Sequence, residues 1–207
     1  TRRSSDLALV LASALLHVLS FPPAGLSALA FISLMPLLLA LDKNEGLVAA
    51  FLPGALFGAA ITAGLSMPIH HAITVHYGKH FLLSILFILA ALALPVSILY
   101  GTAAMAYRYF HSGGPLLRAL TAAAVFTMAE YAKEALPLLL PWGGIGMPLV
   151  PLNRYVQMAD ITGPYGLTFI TALGNCLLAQ MIGALPRITA VAGLPRALGA
   201  SLRSQKA

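Results

Sequence analysis

Glu130 and Lys133 stand three residues apart in the segment Ala129-Glu130-Tyr131-Ala132-Lys133-Glu134. On a helix that spacing places both side chains on one face, so a carboxylate and an ammonium can neutralise each other where a lone ion would be costly. Such a pair serves either as an interfacial salt bridge that fixes the depth of a helix or as part of a polar site at a membrane surface. Downstream, Leu140-Pro141-Trp142-Gly143-Gly144-Ile145-Gly146 leads into a stretch from Pro148 to Leu167 that carries Asn, Arg, Gln and Asp beside Tyr155 and Tyr165. Its irregular backbone could not face lipid without protein or water partners, so it is expected to form a folded cap. Glu130, Lys133, Trp142, Arg154, Tyr155, Asp160 and Tyr165 are therefore the candidate residues for binding a lipid or a partner protein.

A second cluster is made of imidazoles. His70, His71, His76 and His80 lie within one short loop, and His76 and His80 would share a face if the segment were helical. Imidazole ligates zinc, copper and haem iron, which makes a metal or haem site one reading. The other is a solvated or headgroup-facing loop, since no Cys or carboxylate adjoins the run and Gly78 interrupts any helix; no cofactor is otherwise expected. His17 is expected to be a buried, satisfied histidine. The single Cys176 can make no intramolecular disulfide and suits a packing role within a helix.

The elements that must position these groups are membrane helices. Hydrophobic residues make up 59% of the 207 residues and charged residues 9%, against roughly 25% charge in an ordinary soluble domain. Apolar runs fall at Leu7–Phe21, Leu26–Leu41, Leu47–Ile69, Phe81–Ala106, Leu116–Leu140 and Tyr165–Leu185. They predict an all-α, polytopic transmembrane bundle of about six spans over residues 1–185, each about 20 residues long, followed by a basic cytoplasmic tail over 186–207. Ser20-Phe21-Pro22-Pro23-Ala24-Gly25 should turn the chain between the first two short runs, because consecutive prolines cannot continue a helix ladder. A cleaved signal peptide is disfavoured for the first run, since no small-residue cleavage site follows it.

With the N-terminus inside, nine of the 12 Lys and Arg residues fall in cytoplasmic segments and only Lys79, Lys133 and Arg154 on the other side. That bias places both termini in the cytoplasm. The net charge of +6 is then a topology signal and an attraction to anionic headgroups. Scattered among short loops, these residues do not make a nucleic-acid surface.

The order of features resembles the N-terminal membrane region of bacterial apolipoprotein N-acyltransferase. The likeness rests on Phe21-Pro22-Pro23 with Pro36-Leu37-Leu38, on Gly54 to Gly64, on Glu130-x-x-Lys133 with Pro141-Trp142-Gly143, and on Ala159-Asp160-x-x-Gly163-x-Tyr165-Gly166-Leu167-x-Phe169. It implies a multi-pass protein of the bacterial cytoplasmic membrane that works in lipoprotein biosynthesis, with phospholipid and lipoprotein as partners. It also implies that Trp142 lies near the acyl-chain and lipoprotein entrance and that Glu130 and Lys133 occupy a Glu-x-x-Arg position, where Lys keeps the charge without the bidentate fork.

Members of that family transfer a phospholipid acyl chain to a lipoprotein through a Glu-Lys-Cys triad in a nitrilase-like domain. Cys176, inside a span, does not match that nucleophile, so the chain alone is expected not to catalyse. Three readings follow. The first is a membrane scaffold or lipid- and partner-binding subunit of a larger assembly. The second is the membrane half of a split N-acyltransferase that works with a separate nitrilase-like chain. The third is a metal- or haem-binding subunit built on the histidine loop.

Overall fold

The computed structural model describes residues 2–43, 46–110, 113–136 and 140–191, so the expected basic tail lies outside the described residues beyond Val191. As expected for an all-α chain, every element described is helical: α1 (Arg2–Leu19), α2 (Ala30–Ser33), α3 (Met35–Asp42), α4 (Leu47–Leu65), α5 (Met67–His71), α6 (Phe81–Phe87), α7 (Leu94–Tyr109), α8 (Pro115–Ala135), α9 (Asn153–Val156) and α10 (Ala159–Val191). Three helices are long and apolar enough to cross a membrane, Leu47–Leu65, Phe81–Tyr109 and Ala159–Ala184, and two shorter apolar helices run over Ser4–Leu19 and Ser27–Asp42. α8 matches a span in length, at about 31 Å for its 21 residues, but carries Arg118, Glu130, Lys133 and Glu134.

Prolines and glycines set the breaks. The turn after α1 falls at Pro22 and Pro23, as the sequence requires. The run from Leu26 is not one helix: a 3₁₀ turn over Ser27–Leu29 leads into α2, and the chain breaks at Leu34 before α3, which has Pro at its start. Helix α6 passes into α7 through a π turn at Ile88–Ala93. Pro95 follows it and has no N–H to offer the carbonyl one turn back, which loosens the ladder there. The third run is shorter than expected, because α4 stops at Leu65 ahead of Pro68 and the chain goes on through α5 and a second π turn, Ala72–His76. In α10 the kink is at Gly163, with φ 66° and ψ −175°. Glycine takes that conformation without a Cβ penalty, and the regular helix then starts at Pro164.

Packing is tightest between α4 and α7. A Cβ on Gly54 would stand 2.3 Å from the Tyr100 carbonyl oxygen, and one on Gly58 would stand 2.8 Å from that of Val96. Only glycine allows backbones to approach so closely, which is how small residues join helices in lipid. The bundle has a largely apolar core with polar groups buried in it, and many large apolar residues on its outer surface. His17, Tyr100, Tyr107, Lys133, Thr171 and Asn175 are buried, while Leu82, Leu83, Leu86, Leu89, Leu94 and Ile98 are exposed. Exposed leucines with polar groups kept to the interior are what a bilayer imposes.

Candidate functional site

The Glu130–Lys133 pair forms near the C-terminus of α8 and lies inside the bundle. Lys133 Nζ is 2.8 Å from Glu130 Oε2, with side-chain exposures of 0% and 8%. Tyr100 of α7 donates its hydroxyl to Glu130 Oε1, so each carboxylate oxygen has a donor. The ammonium lies 5.4 Å from the centroid of the Tyr100 ring, within range of a cation–π contact. Its next partner is the carbonyl oxygen of Trp142, at 3.3 Å. A buried ion survives only when paired and hydrogen-bonded, and here both charges meet that condition by tying α7, α8 and the Trp142 loop together.

The loop itself is shaped to fit against the pair. Gly143 has φ +65°, and a Cβ on Gly144 would stand 2.9 Å from Glu130 Oε2. Trp142 donates its indole N–H to the Leu65 carbonyl at 2.8 Å, one of the carbonyls left without an intrahelical partner at the end of α4. His17 of α1 reaches the same loop from the other side, its Nε2 3.1 Å from the Gly143 carbonyl. A carbonyl can only accept, so Nε2 carries the proton. The ring is fully buried between Phe21 and Phe57, and its Nδ1 has no partner. The expectation of a satisfied histidine therefore holds for one nitrogen. Trp142 remains 40% exposed, with its polar edge fixed and its ring edge open at this end of the bundle.

Of the other candidates, Tyr165 joins the cluster at its rim. Its hydroxyl donates to Glu134 Oε2, its ring meets Tyr131 edge-on at 5.6 Å, and a small cleft between these groups reaches Glu130, Gly144 and Thr168. Tyr155 is not part of it: its ring packs on Phe31 at 5.2 Å. Arg154 and Asp160 are exposed on the cap. The cap is a folded one, as expected, with Ile145 and Leu149 fully buried beneath it.

The histidine loop separates into three local arrangements. His70 Nδ1 lies 2.9 Å from Ser84 Oγ, His71 and His76 meet edge-on at 5.9 Å, and His80 Nδ1 accepts the N–H of Leu82 at the start of α6. Among the described residues, no three His, Cys, Asp or Glu side chains gather where they could hold a metal. Cys176 is buried against Tyr107 and Gln180, about 16 Å further along α10 than Tyr165 at 1.5 Å of rise per residue.

Sequence reasoning missed Tyr100, His17 as a loop anchor, and the ion pair of Asp42 with Arg118 at 2.8 Å. Tyr100 gives no signal in an apolar run, and its contact with Glu130 spans 30 residues. Asp42 and Arg118 were available as charges at the end of one apolar run and the start of another.

Residues 13–177 match the family described as the apolipoprotein N-acyltransferase N-terminal domain. The chain is 32% identical over 177 residues to an apolipoprotein N-acyltransferase of Geobacter metallireducens, covering 86% of this chain and 33% of that protein. It is 31% identical over 172 residues to that of Allorhizobium ampelinum, covering 77% and 32%. With apolipoprotein N-acyltransferase 2 of Treponema pallidum it shares 38% identity over 65 residues, 31% of this chain and 12% of the relative. The chain thus spans about a third of the length of the first two of these relatives.

Proposed function

This chain belongs to the apolipoprotein N-acyltransferase N-terminal domain family, and from that membership we propose that it is the membrane scaffold of a lipoprotein N-acylation site, non-catalytic by itself. It holds phospholipid and lipoprotein at the Trp142 end of the bundle. Six crossings serve this reading, made by α1, the segment from Ser27 through α3, α4, the continuous α6–α7 helix, α8 and α10. Both termini lie in the cytoplasm of a bacterial cell, and the Trp142 cap lies on the far face of its cytoplasmic membrane.

The observation that carries the proposal is the buried Glu130–Lys133–Tyr100 cluster that fixes the Trp142 loop while leaving the indole ring half open. An amphipathic ring held rigidly at a bundle end suits the place where an acyl chain or lipoprotein meets the membrane edge. The same cluster is poorly suited to chemistry. Acyl transfer through a thioester needs a nucleophilic thiolate, a base and oxyanion donors held together. Lys133 and Glu130 neutralise each other, and Cys176 is buried well away from them. The catalytic groups then belong to a partner, whether a catalytic domain or a separate nitrilase-like chain.

The test is direct. Given phospholipid and a diacylated lipopeptide, the purified chain should bind the lipopeptide and yield no triacylated product, and Trp142→Ala should weaken that binding about tenfold or more. Turnover by the chain alone that disappears in Cys176→Ala would overturn the scaffold reading. Undiminished lipopeptide binding by a folded Trp142→Ala protein would remove Trp142 from the site.

A further inference from the structure

Between α4 and α6 the chain runs through α5, the π turn over Ala72–His76 and residues 77–80, and no residue from Met67 to His80 is buried. The segment starts at the Trp142 end of the bundle, because Leu65, two residues before it, accepts the indole N–H of Trp142. It packs against α4 and α6 and leaves Val75 and Tyr77 exposed, with Phe81 exposed just after it. Its charge is of one sign. Lys79 is exposed, and the sequence holds no Asp or Glu from Gly46 to Ala129. Apolar and aromatic side chains interleaved with a cation and imidazoles, with no carboxylate to compensate, suit a segment that lies in an anionic membrane surface.

We propose that the segment from Met67 to His80 is an arm that docks on the anionic phospholipid headgroups of the leaflet at the Trp142 end, and that it holds them more tightly in acid. This goes beyond the role proposed for Trp142, since it assigns a surface to a segment which that role does not use. Val75, Tyr77 and Phe81 supply the part that enters the interface, where aromatic rings are enriched, and Lys79 supplies a cation for the phosphates. The bilayer is the occupant because the arm is joined at both ends to helices long and apolar enough to cross it, Leu47–Leu65 and Phe81–Tyr109. Its exposed side chains are thereby held at headgroup level.

The acid response comes from two imidazoles. In the π turn Tyr77 donates its N–H to the Ala72 carbonyl, five residues back, at 3.1 Å, so positions five apart fall on one face. His71 and His76 are such a pair, both exposed, with ring centroids 5.9 Å apart. His70 is engaged with Ser84 and Phe81, and His80 Nδ1 accepts the Leu82 N–H, a bond that a proton on that nitrogen would end. α4 and α6 carry no titratable side chain, so the titratable neighbours of the pair are His70, Tyr77, Lys79 and His80 of the arm itself. Imidazole gains its charge between about pH 8 and 5. Two imidazoliums this close repel unless an anion lies between them, and a phosphate accepts a charge-assisted hydrogen bond from each. Protonation and headgroup binding therefore favour one another.

The experiment follows a polarity-sensitive fluorophore attached through Val75→Cys in the full chain with Cys176→Ala, placed in nanodiscs of phosphatidylcholine alone or mixed equally with phosphatidylglycerol. A second label, through Leu52→Cys on the exposed face of α4, reports the seat of the whole bundle. With phosphatidylglycerol present, emission from the Val75→Cys label should rise about twofold between about pH 7.5 and 5.5, while that from Leu52→Cys stays constant. His71→Gln with His76→Gln, both at exposed positions, should abolish the rise. Lys79→Gln should narrow the difference between the two lipids near neutral pH. Equal emission in both lipids at both pH values overturns the proposal, as does a rise that persists in the doubly substituted arm or that the Leu52→Cys label shares. A rise of the same size in phosphatidylcholine alone, on addition of inorganic phosphate, would make the pair a free-anion site and overturn the lipid.

Discussion

Lys133 shows how a single charge can serve a membrane bundle. Its side chain is fully buried and yet has a carboxylate, a carbonyl and an aromatic face around it, so the cost of dehydrating the ammonium is offset on three sides. Removing one member of a buried pair leaves the other uncompensated, at about 3–5 kcal/mol. Lys133→Met should therefore destabilise the protein by that order in detergent unfolding, whereas Glu130→Gln with Lys133→Met should recover a good part of the loss. Equal instability of the single and double variants would show that the two charges are not coupled. His17 offers a milder test. His17→Phe keeps the ring packing against Phe21 and Phe57 but loses the Nε2–H bond to Gly143, worth about 1 kcal/mol. Trp142 is the single tryptophan, so its emission reports the loop directly. A red shift with more rapid quenching is expected in the variant, and an unchanged spectrum would mean that His17 does not hold the loop.

At the scale of elements, the break between α2 and α3 is stabilised by a residue far away in sequence. Asn175 on α10 accepts the N–H groups of Leu34 and Met35 at 2.8 and 3.0 Å and donates to the carbonyls of Ala30 and Thr171 at 2.9 and 2.8 Å. Three of these bonds satisfy backbone groups around the break, those of Ala30, Leu34 and Met35, and the Asn175 side chain that makes them is fully buried. Asn175→Leu, close in volume and apolar, should cost about 2–4 kcal/mol by leaving several buried groups unpaired. A melting temperature equal to the wild type would place those groups with other partners.

This is also where legibility in the sequence ends. The apolar runs locate most of the helices, and Pro22-Pro23 and Pro68 mark breaks, because hydrophobic length and missing N–H groups act locally. Glu130 and Lys133 were legible as a pair because their spacing alone puts them on one helix face. Tyr100, Asn175 and His17 were not, because their partners lie 30, 140 and 126 residues away. An isolated Tyr or Asn in an apolar run carries no mark of the helix it will meet.

Taken as one molecule, the bundle has two polar ends separated by an apolar middle. One end holds Asp42 paired with Arg118; the other holds Glu130, Lys133 and Glu134 with Trp142. Arg118 and Lys133 belong to the same helix about 22 Å apart, a separation that keeps both ends near the edges of a hydrocarbon layer about 30 Å thick. The bundle alone does not say which end faces the cytoplasm; the orientation proposed from the distribution of Lys and Arg puts the Asp42 end inside. The prediction is accordingly one of accessibility. In a Cys176→Ala background, single cysteines placed at Gly78 and Asn153 should react with a membrane-impermeant maleimide in intact cells, and one at Lys43 should react only after permeabilisation. Gly78 and Lys43 are suitable positions because both are exposed and a Cβ at Gly78 meets nothing within 4 Å, although its φ of +59° strains any side chain there. Asn153, exposed at the start of α9, carries the same assignment without that strain. Reaction at 43 without reaction at 78 or 153 would invert the bundle. The Trp142 cap would then face the cytoplasm, and the lipoprotein-binding role proposed for it would fail with the orientation.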